Sequence, residues 1–592
     1  MVGENGRVPE PAPLDSVPEL LAGLRAAGVR RGDAVAVALV PGRGLGLASG
    51  GVGWALLDPE PAHAVALVEQ ALRPRWVWWS QDTPAVLAAA RVRLATCWDL
   101  AAAHRLLFGG WRAEPGLLWA ALHELAASSI PGMGQLDLLS PTGDDGDDLE
   151  NPVRPDGHLR PEWASGGWTR DPGRWARWAV TALVAATRQR DRLDRLAVAG
   201  DPPSTARSES AVELLCAELF EVGLPVDRSL AEELLSTLIG PRPRDEAQAR
   251  ELQRRRDEQV RDLAPGAGEL DLRNPAQVKR LLADVGVDVP DTRAWRLEGL
   301  AHVHAVVPAL LAWRKAERIA TTYGYRWLDE HVGADGRLRG RWSGSDGAAG
   351  RMTAQAGLHN LPAELRPVVT AEPGHVLVRA DLGQIEPRVL AAVSGDRALA
   401  AATADDDLYS PVATRLGVAR PVAKVAVLAA MYGQTSGAAG EALRGLESAY
   451  PTAMRYLRDA YEQGRRGRDV RTFGGRLVRI GSPPAGLDDS ARRTAVAARG
   501  RFARNAVVQG AAAEVFKVWA VTVRARAAAL DARIVLCLHD ELLLHVPTEH
   551  GPAAAELLHT CLAEAARRWF PAASVRFVAD VSVIRQWSEA KA

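Results

Sequence analysis

The stretch HVLVRADLGQIEPRVLAAVSGD, residues 375–396, runs from an apolar strand into an acid, Asp381, and predicts a helix within a few residues. A second stretch, RIVLCLHDELLLHVP at 533–547, has two apolar arms meeting at a polar tip and reads as a hairpin that carries Asp540 and Glu541. Ionised carboxylates among apolar residues are costly unless a cation neutralises them. Mg²⁺ takes one or two carboxylates together with substrate phosphate oxygens and water. Two such ions about 3.5–4 Å apart stabilise both the attacking and the leaving oxygen of a phosphoryl transfer. The competing reading is that these acids merely solubilise strand ends, and either stretch alone leaves both open.

A third stretch, RPVAKVAVLAAMYGQTSG at 420–437, reads as a helix with Arg420, Lys424, Leu428 and Tyr432 four apart on one slowly drifting face. Pro421 suits a first helical turn, where its missing N–H costs little. A fork-shaped and a point-charge cation one turn apart suit a triphosphate tail. A solvated charged face is the usual alternative. The apolar intervening positions weigh against it, and so does the scarcity of lysine, found only at Lys279, Lys315, Lys424, Lys517 and Lys591.

Outward from these stretches, 592 residues are too many for one hydrophobic core, so several domains are expected. Residues 1–140 alternate short strand-like runs, such as AVAVAL at 34–39, with Ala/Leu-rich helical stretches, which suggests an α/β unit. The breaker-rich, acidic segment 143–173 reads as a surface loop, Trp175 to Leu196 as a helix, and AGDPPSTARSES at 199–210 as an interdomain linker. From Ala211 to about Tyr323 the pattern is helical, and 324–592 mixes helices with the two strand units. Formal net charge is zero, so composition alone gives no hint of a nucleic-acid partner, although a local basic groove would suffice for one. Cys97, Cys216, Cys537 and Cys561 lack CxxC spacing, which speaks against a zinc site or disulfide framework. The N-terminus does not read as a secretory signal, and no run of about 18 apolar residues is evident. A cytoplasmic location without membrane attachment is expected.

Taken together, the three stretches resemble motifs A, B and C of the family A DNA polymerases. DLGQIEPR at 381–388 is similar to the family's DYSQIELR; Arg420, Lys424 and Tyr432-Gly433 match its fingers motif; His539-Asp540-Glu541 matches its HDE. GRMTAQAGLHNLP at 350–362, RKAERIATTYG at 314–324, RTFGGRL at 471–477 and RFARNAVVQGAAAEVFK at 501–517 resemble further family segments in the family's order. The resemblance implies a multidomain α/β right hand, with a thumb at 205–325 and palm and fingers at 326–592. It implies a DNA-directed DNA polymerase working on primer–template DNA and dNTPs as a monomer, with two Mg²⁺ ions or Mn²⁺ in their place. Asp381, Asp540 and the Leu382 carbonyl would hold the metals and Glu541 would support them. Gln384, Glu386, Arg420, Lys424, Leu428 and Tyr432 would contact the incoming nucleotide, Glu386 excluding a 2′-hydroxyl. Arg351, Asn360, Arg501, Asn505, Gln509 and His539 would face the primer–template. The departures are Leu382-Gly383 for Tyr-Ser, Tyr409 where His usually precedes the fingers motif, and Leu428 for an aromatic.

The resemblance also implies that residues 1–200 form a ribonuclease H-like, DnaQ-like 3′–5′ exonuclease domain. Such chemistry needs four carboxylates around two metals, beginning with Asp-x-Glu on the first strand. The first-strand candidate, AVAVALVPGRGLGLASG, has no acid between Asp33 and Asp58, and RWARWAVTALVAATRQR at 174–190 has none. Asp82 and Asp99 stand as relics, so an inactive domain is expected. The family's 5′-nuclease domain is not expected ahead of it. Alternatives from other classes are a catalytically silent DNA-binding relative and a bifunctional polymerase with an active 3′–5′ exonuclease.

Overall fold

The structure, a computed structural model, describes residues 13–132, 149–264, 266, 268, 270–433 and 439–590. Residues 1–12, the acidic run at 143–148, the 434–437 end of the fingers stretch and Lys591 lie outside the described residues. The chain divides into two compact units. One is Met1–Val222 with Arg341–Thr353 and Gly374–Val583; the other is Gly223–Gly340 with Ala354–Pro373 and Ile584–Ala592.

In the first unit, β1 (Ala34–Val40), β2 (Gly44–Ser49), β3 (Val52–Leu57), β4 (Arg75–Trp78) and β5 (Thr96–Asp99) form a sheet of order β3-β2-β1-β4-β5. The first three strands are an antiparallel meander, and β4 and β5 run parallel to β1. Gly50 and Gly51 form the two-residue turn between β2 and β3, both at positive φ, where a side chain would be strained. Helix α1 (Pro172–Asp194) packs on this meander and buries Trp175, Trp178, Ala179 and Ala182.

Two segments differ from their sequence reading. The described part of 143–173 contains short helical turns at Pro161–Ala164 and Gly167–Thr169, and Trp163 is fully buried. No periodicity marks it because side-chain pairs fix it: Arg174 binds Glu150 and Glu162 and lies over the Trp163 ring. The supposed linker at 199–210 is the first half of helix α2 (Pro202–Val222). Its polar residues suggested exposure, but Thr205, Ser208, Glu209 and Ser210 are buried with hydrogen-bond partners.

The second unit is helical. It includes α3 (Glu246–Arg261) and α4 (Val306–Thr322), as the three- and four-residue spacing predicts. Val260, Leu281, Leu297, Val306, Leu310 and Trp313 form part of its core. Arg273 bridges Asp257 and Glu317 over the Trp313 ring.

The first unit's other main sheet carries the acids. It consists of β6 (His375–Leu382), β7 (Arg533–Leu538), β8 (Glu541–Pro547) and β9 (Ala579–Ile584) in the order β7-β8-β6-β9. Helices of the same unit are α5 (Ile385–Ser394), α6 (Tyr409–Leu416), α7 (Arg420–Tyr432), α8 (Asp489–Ala527) and α9 (Gly551–Trp569). Both faces of β6 are largely buried, which is why it reads as a continuous apolar run rather than an alternating one. Helix α8 is long and apolar enough by composition to cross a bilayer, but most of its apolar stretch is buried inside the protein.

Candidate active site

Strands β6 and β8 pair antiparallel from His375↔Pro547 to Asp381↔Glu541, so these two acids are direct cross-strand neighbours. The Leu382 N–H donates to the Asp540 carbonyl at 2.8 Å, which ties the end of β6 to the hairpin tip. The two strand units, whose paired ends Asp381 and Glu541 are 160 residues apart in the chain, thus bring Asp381, Leu382, Asp540 and Glu541 to one place. Burial and the neighbouring Asp540 lift the Asp381 carboxyl to about 6, against the pull of Arg379. Burial also lifts Asp540 above the usual carboxylate range. A pair of acids strained in this way favours a bound cation over bare ionisation. The donor set, two carboxylates with a backbone carbonyl beside them, fits Mg²⁺ or Mn²⁺.

At the junction of β6 and α5, Gln384 takes a left-handed backbone, φ 51°, an unfavourable conformation that its side chain helps to hold. Its Nε2 donates to Asp407 Oδ1 at 3.3 Å, and its Oε1 accepts from the Leu408 N–H at 2.8 Å. Arg420 grips the same Asp407 through two bonds of 2.6 and 2.9 Å, and this contact drives the Asp407 carboxyl down to about 2. Lys424 follows one turn along α7 on its exposed face, and Leu428 is half-buried against the core beneath. At the end of the helix the Tyr432 hydroxyl donates to Glu386 Oε2 at 2.8 Å, while Arg351 Nη2 holds Glu386 Oε1 at 2.9 Å. Gln509 on α8 reaches the Tyr432 hydroxyl.

Of the other expected DNA contacts, His539 is at the hairpin tip and Arg501 lies beside Gly433. The Asn505 Oδ1 is buried without a hydrogen-bond partner among the described residues. Asn360 belongs to the second unit, where its carbonyl accepts from Arg318 and Tyr323.

Sequence reasoning missed three residues. Arg379 is buried between Asp381 and Glu541. Asp407, hidden in an unremarkable acidic run, organises Arg420 and Gln384. Arg388 is fully buried and donates to the carbonyls of Gly383, Thr403, Asp405 and Asp406, fixing the loop that carries Asp407. A basic residue within the apolar strand 375–382 was the available signal for Arg379.

The sequence pattern of DNA polymerase family A matches residues 244–589. The chain belongs to DNA polymerase family A. It is 31% identical over 302 residues to DNA polymerase I of Chloroflexus aurantiacus, covering 46% of this chain and 31% of that protein. Against thermostable DNA polymerase I of Thermus aquaticus it is 30% identical over 329 residues, 51% of this chain and 38% of that protein. The chain therefore spans about a third of the length of these curated relatives. In fold it is similar to the POL domain of Pol1 from M. smegmatis, solved in complex with DNA primer-template and dNTP. The TM-score is 0.67 and the identity 23%, over 98% of this chain and 99% of that one.

Gly383, Tyr409 and Pro387, which differ from the family A pattern, each sit in a distinct local setting. A side chain at Gly383 would meet Val578 Cγ2 at 2.8 Å, which leaves no room for the usual Ser. Tyr409 is buried beneath the Arg420 guanidinium, 5.8 Å from its ring centre. Pro387 falls in the first turn of α5, where no intrahelical N–H bond is lost.

Proposed function

We propose that this chain is a template-directed DNA polymerase that adds deoxynucleotides to a primer 3′ end by two-metal phosphoryl transfer. The observation that carries this is the cross-strand meeting of Asp381 and Glu541 with Asp540 at the adjoining tip. Asp381 and Asp540, with the Leu382 carbonyl, would hold two Mg²⁺ ions, and these would supply the positive charge that stabilises the developing phosphoryl transition state. Arg420 and Lys424 would take the triphosphate, Arg420 exchanging Asp407 for phosphate oxygens. Arg351, Arg501, Asn505, Gln509 and His539 would face the primer–template, which fits the DNA and dNTP bound by the M. smegmatis protein of similar fold, and Asn360 is a further candidate DNA contact. The thumb expected at 205–325 would fall mostly in the helical second unit, and the β6–β9 sheet with α5–α9 would supply palm and fingers.

Residues up to about 200 would form an exonuclease-like domain without exonuclease activity. The strand order β3-β2-β1-β4-β5 supports its kinship with ribonuclease H-like nucleases. In place of acids, Ala36 and Ala38 of β1 pack in one cluster with Trp79, Trp98 and Trp178, the Trp79 and Trp178 rings stacked at 4.3 Å. Asp99 is buried as a helix cap that accepts from Trp78 and Ala102, and Asp82 bonds locally to Ser80. Contrary to the expectation that residues 1–140 lack an Asp-x-Glu, they hold one, Asp58-Pro59-Glu60, outside the first strand. It lies in the turn after β3, where Asp58 accepts from the Glu60 N–H.

The test is primer extension with Mg²⁺ run beside degradation of a labelled strand with a mismatched 3′ end and no nucleotides. Extension without nucleotide release is the expected result. No extension would sink the polymerase, and release that a change within residues 1–200 stops would sink the silent domain.

Glu386 should set sugar choice. Held by Arg351 and Tyr432, it forms a rigid floor where the incoming sugar would sit. Glu386→Ala should raise ribonucleotide incorporation by at least about tenfold, since exclusion at the transition state is lost. Competition between a ribonucleotide and its deoxynucleotide measures it, and an unchanged ratio removes Glu386 from that role.

A further inference from the structure

Arg379 lies on β6 two residues before Asp381, and residues i and i+2 of a strand project to the same face. Glu541 on β8 is the direct cross-strand partner of Asp381, so the three side chains converge. Arg379 Nη2 donates to Asp381 Oδ2 at 2.7 Å and to Glu541 Oε2 at 3.2 Å, and Nε lies 3.1 Å from Glu541 Oε1. The residue is 7% exposed, so water screens little of its charge. Asp540 at the hairpin tip and Asp580 on β9 add further acids around this site, and His539 and Arg351 lie close enough to act on Asp540.

We propose that Arg379 is a positioning residue and a built-in counter-charge that restrains divalent-cation binding at Asp381 and Asp540 until a nucleotide brings its own anionic oxygens. This rests on the assignment of those two acids as the cation-binding pair. Arg379 fixes the Asp381 carboxylate through Oδ2 and offsets one negative charge of the cluster. The affinity of a carboxylate site for a divalent cation follows its net charge, so the cluster alone holds the cation weakly. The extra anionic oxygens of a triphosphate then tip the balance, which couples cation occupancy to nucleotide arrival.

The experiment uses Mn²⁺ alone as the probe, its free concentration read from the electron paramagnetic resonance signal, with the full chain free of DNA and nucleotide. Asp540→Ala defines the signal that belongs to this site. Wild-type protein should bind Mn²⁺ there only in the millimolar range. Arg379→Gln, which keeps a donor for Glu541 but loses the charge, should bind about tenfold more tightly. Arg379→Lys should stay within about twofold of wild type, since it keeps the charge. Arg379→Gln binding Mn²⁺ as wild type does, or more weakly, overturns the proposal; a merely structural Arg379 would lower the melting temperature and leave Mn²⁺ affinity alone. Should Arg379→Gln fail to fold, the wild-type titration decides: low-micromolar Mn²⁺ binding that Asp540→Ala abolishes overturns the proposal. Primer extension by the wild type is read in parallel, so a failed polymerase assignment shows as no extension whatever the Mn²⁺ result.

Discussion

Asp381→Ala and Asp540→Ala should each cut single-turnover primer extension by at least about a thousandfold, because either change removes charge stabilisation aimed at the transition state. The fold should survive both. In Asp381→Ala, Arg379 keeps Glu541 as its partner, and in Asp540→Ala the backbone carbonyl that accepts from Leu382 remains. Affinity for primer–template should fall much less than activity, since phosphate contacts spread over the protein carry most of it. That split between chemistry and binding distinguishes a metal ligand from a residue that shapes the DNA groove. Extension assays beside a gel-shift titration measure both quantities. Near-normal extension by either variant would take the acids out of the reaction, and an equal loss of extension and binding would move them from catalysis to DNA contact.

The acids were legible because motif chemistry and strand pattern coincide. An apolar run ending in an acid reads as a buried strand with a polar tip, and β6, β7 and β8 follow that reading almost residue for residue. Their meeting in space was not legible from periodicity, which is silent on pairing over 160 residues; it came through the family resemblance. Asp407 and Arg388 escaped because each acts through backbone carbonyls or a side chain far along the chain, and such partners leave no local spacing to detect. The misplaced linker at 199–210 failed for a related reason. Pro, Ser, Thr and Glu in sequence suggest solvent, but buried polar groups are tolerated when their partners are present; here Thr205 donates to the Gly474 carbonyl, Ser210 accepts from the Asp99 N–H, Ser208 donates to the Thr205 carbonyl and Glu209 accepts from Lys517.

That misread segment leads to the second large effect. Glu209, in the first half of α2, accepts both oxygens' bonds from Lys517 Nζ at 2.8 Å and pairs with Arg476 Nη2 at 2.5 Å; the three side chains are at most 3% exposed. Burial pushes the Glu209 carboxyl up, but Arg476 and Lys517 outweigh it and hold the group below its usual range. Glu514, lifted by burial to about 7, accepts from Thr472 and Gly474 beside them. Removing one member of such a network costs far more than the network contributes, because the remaining charges stay buried without compensation. Glu209→Leu should therefore destabilise the protein by about 3–5 kcal/mol by stranding Lys517 and Arg476. Lys517→Met alone should do comparable harm by exposing Glu209 to burial with one cation fewer. The double variant Glu209→Leu/Lys517→Met removes the opposed pair and leaves Arg476 near Glu514, so it should recover a large part of the loss. Thermal melting of the four proteins closes the cycle. Single variants that melt within a degree of wild type would show the cluster to be solvated rather than buried, and a double variant no better than the sum of the singles would show that the two charges do not act as a pair.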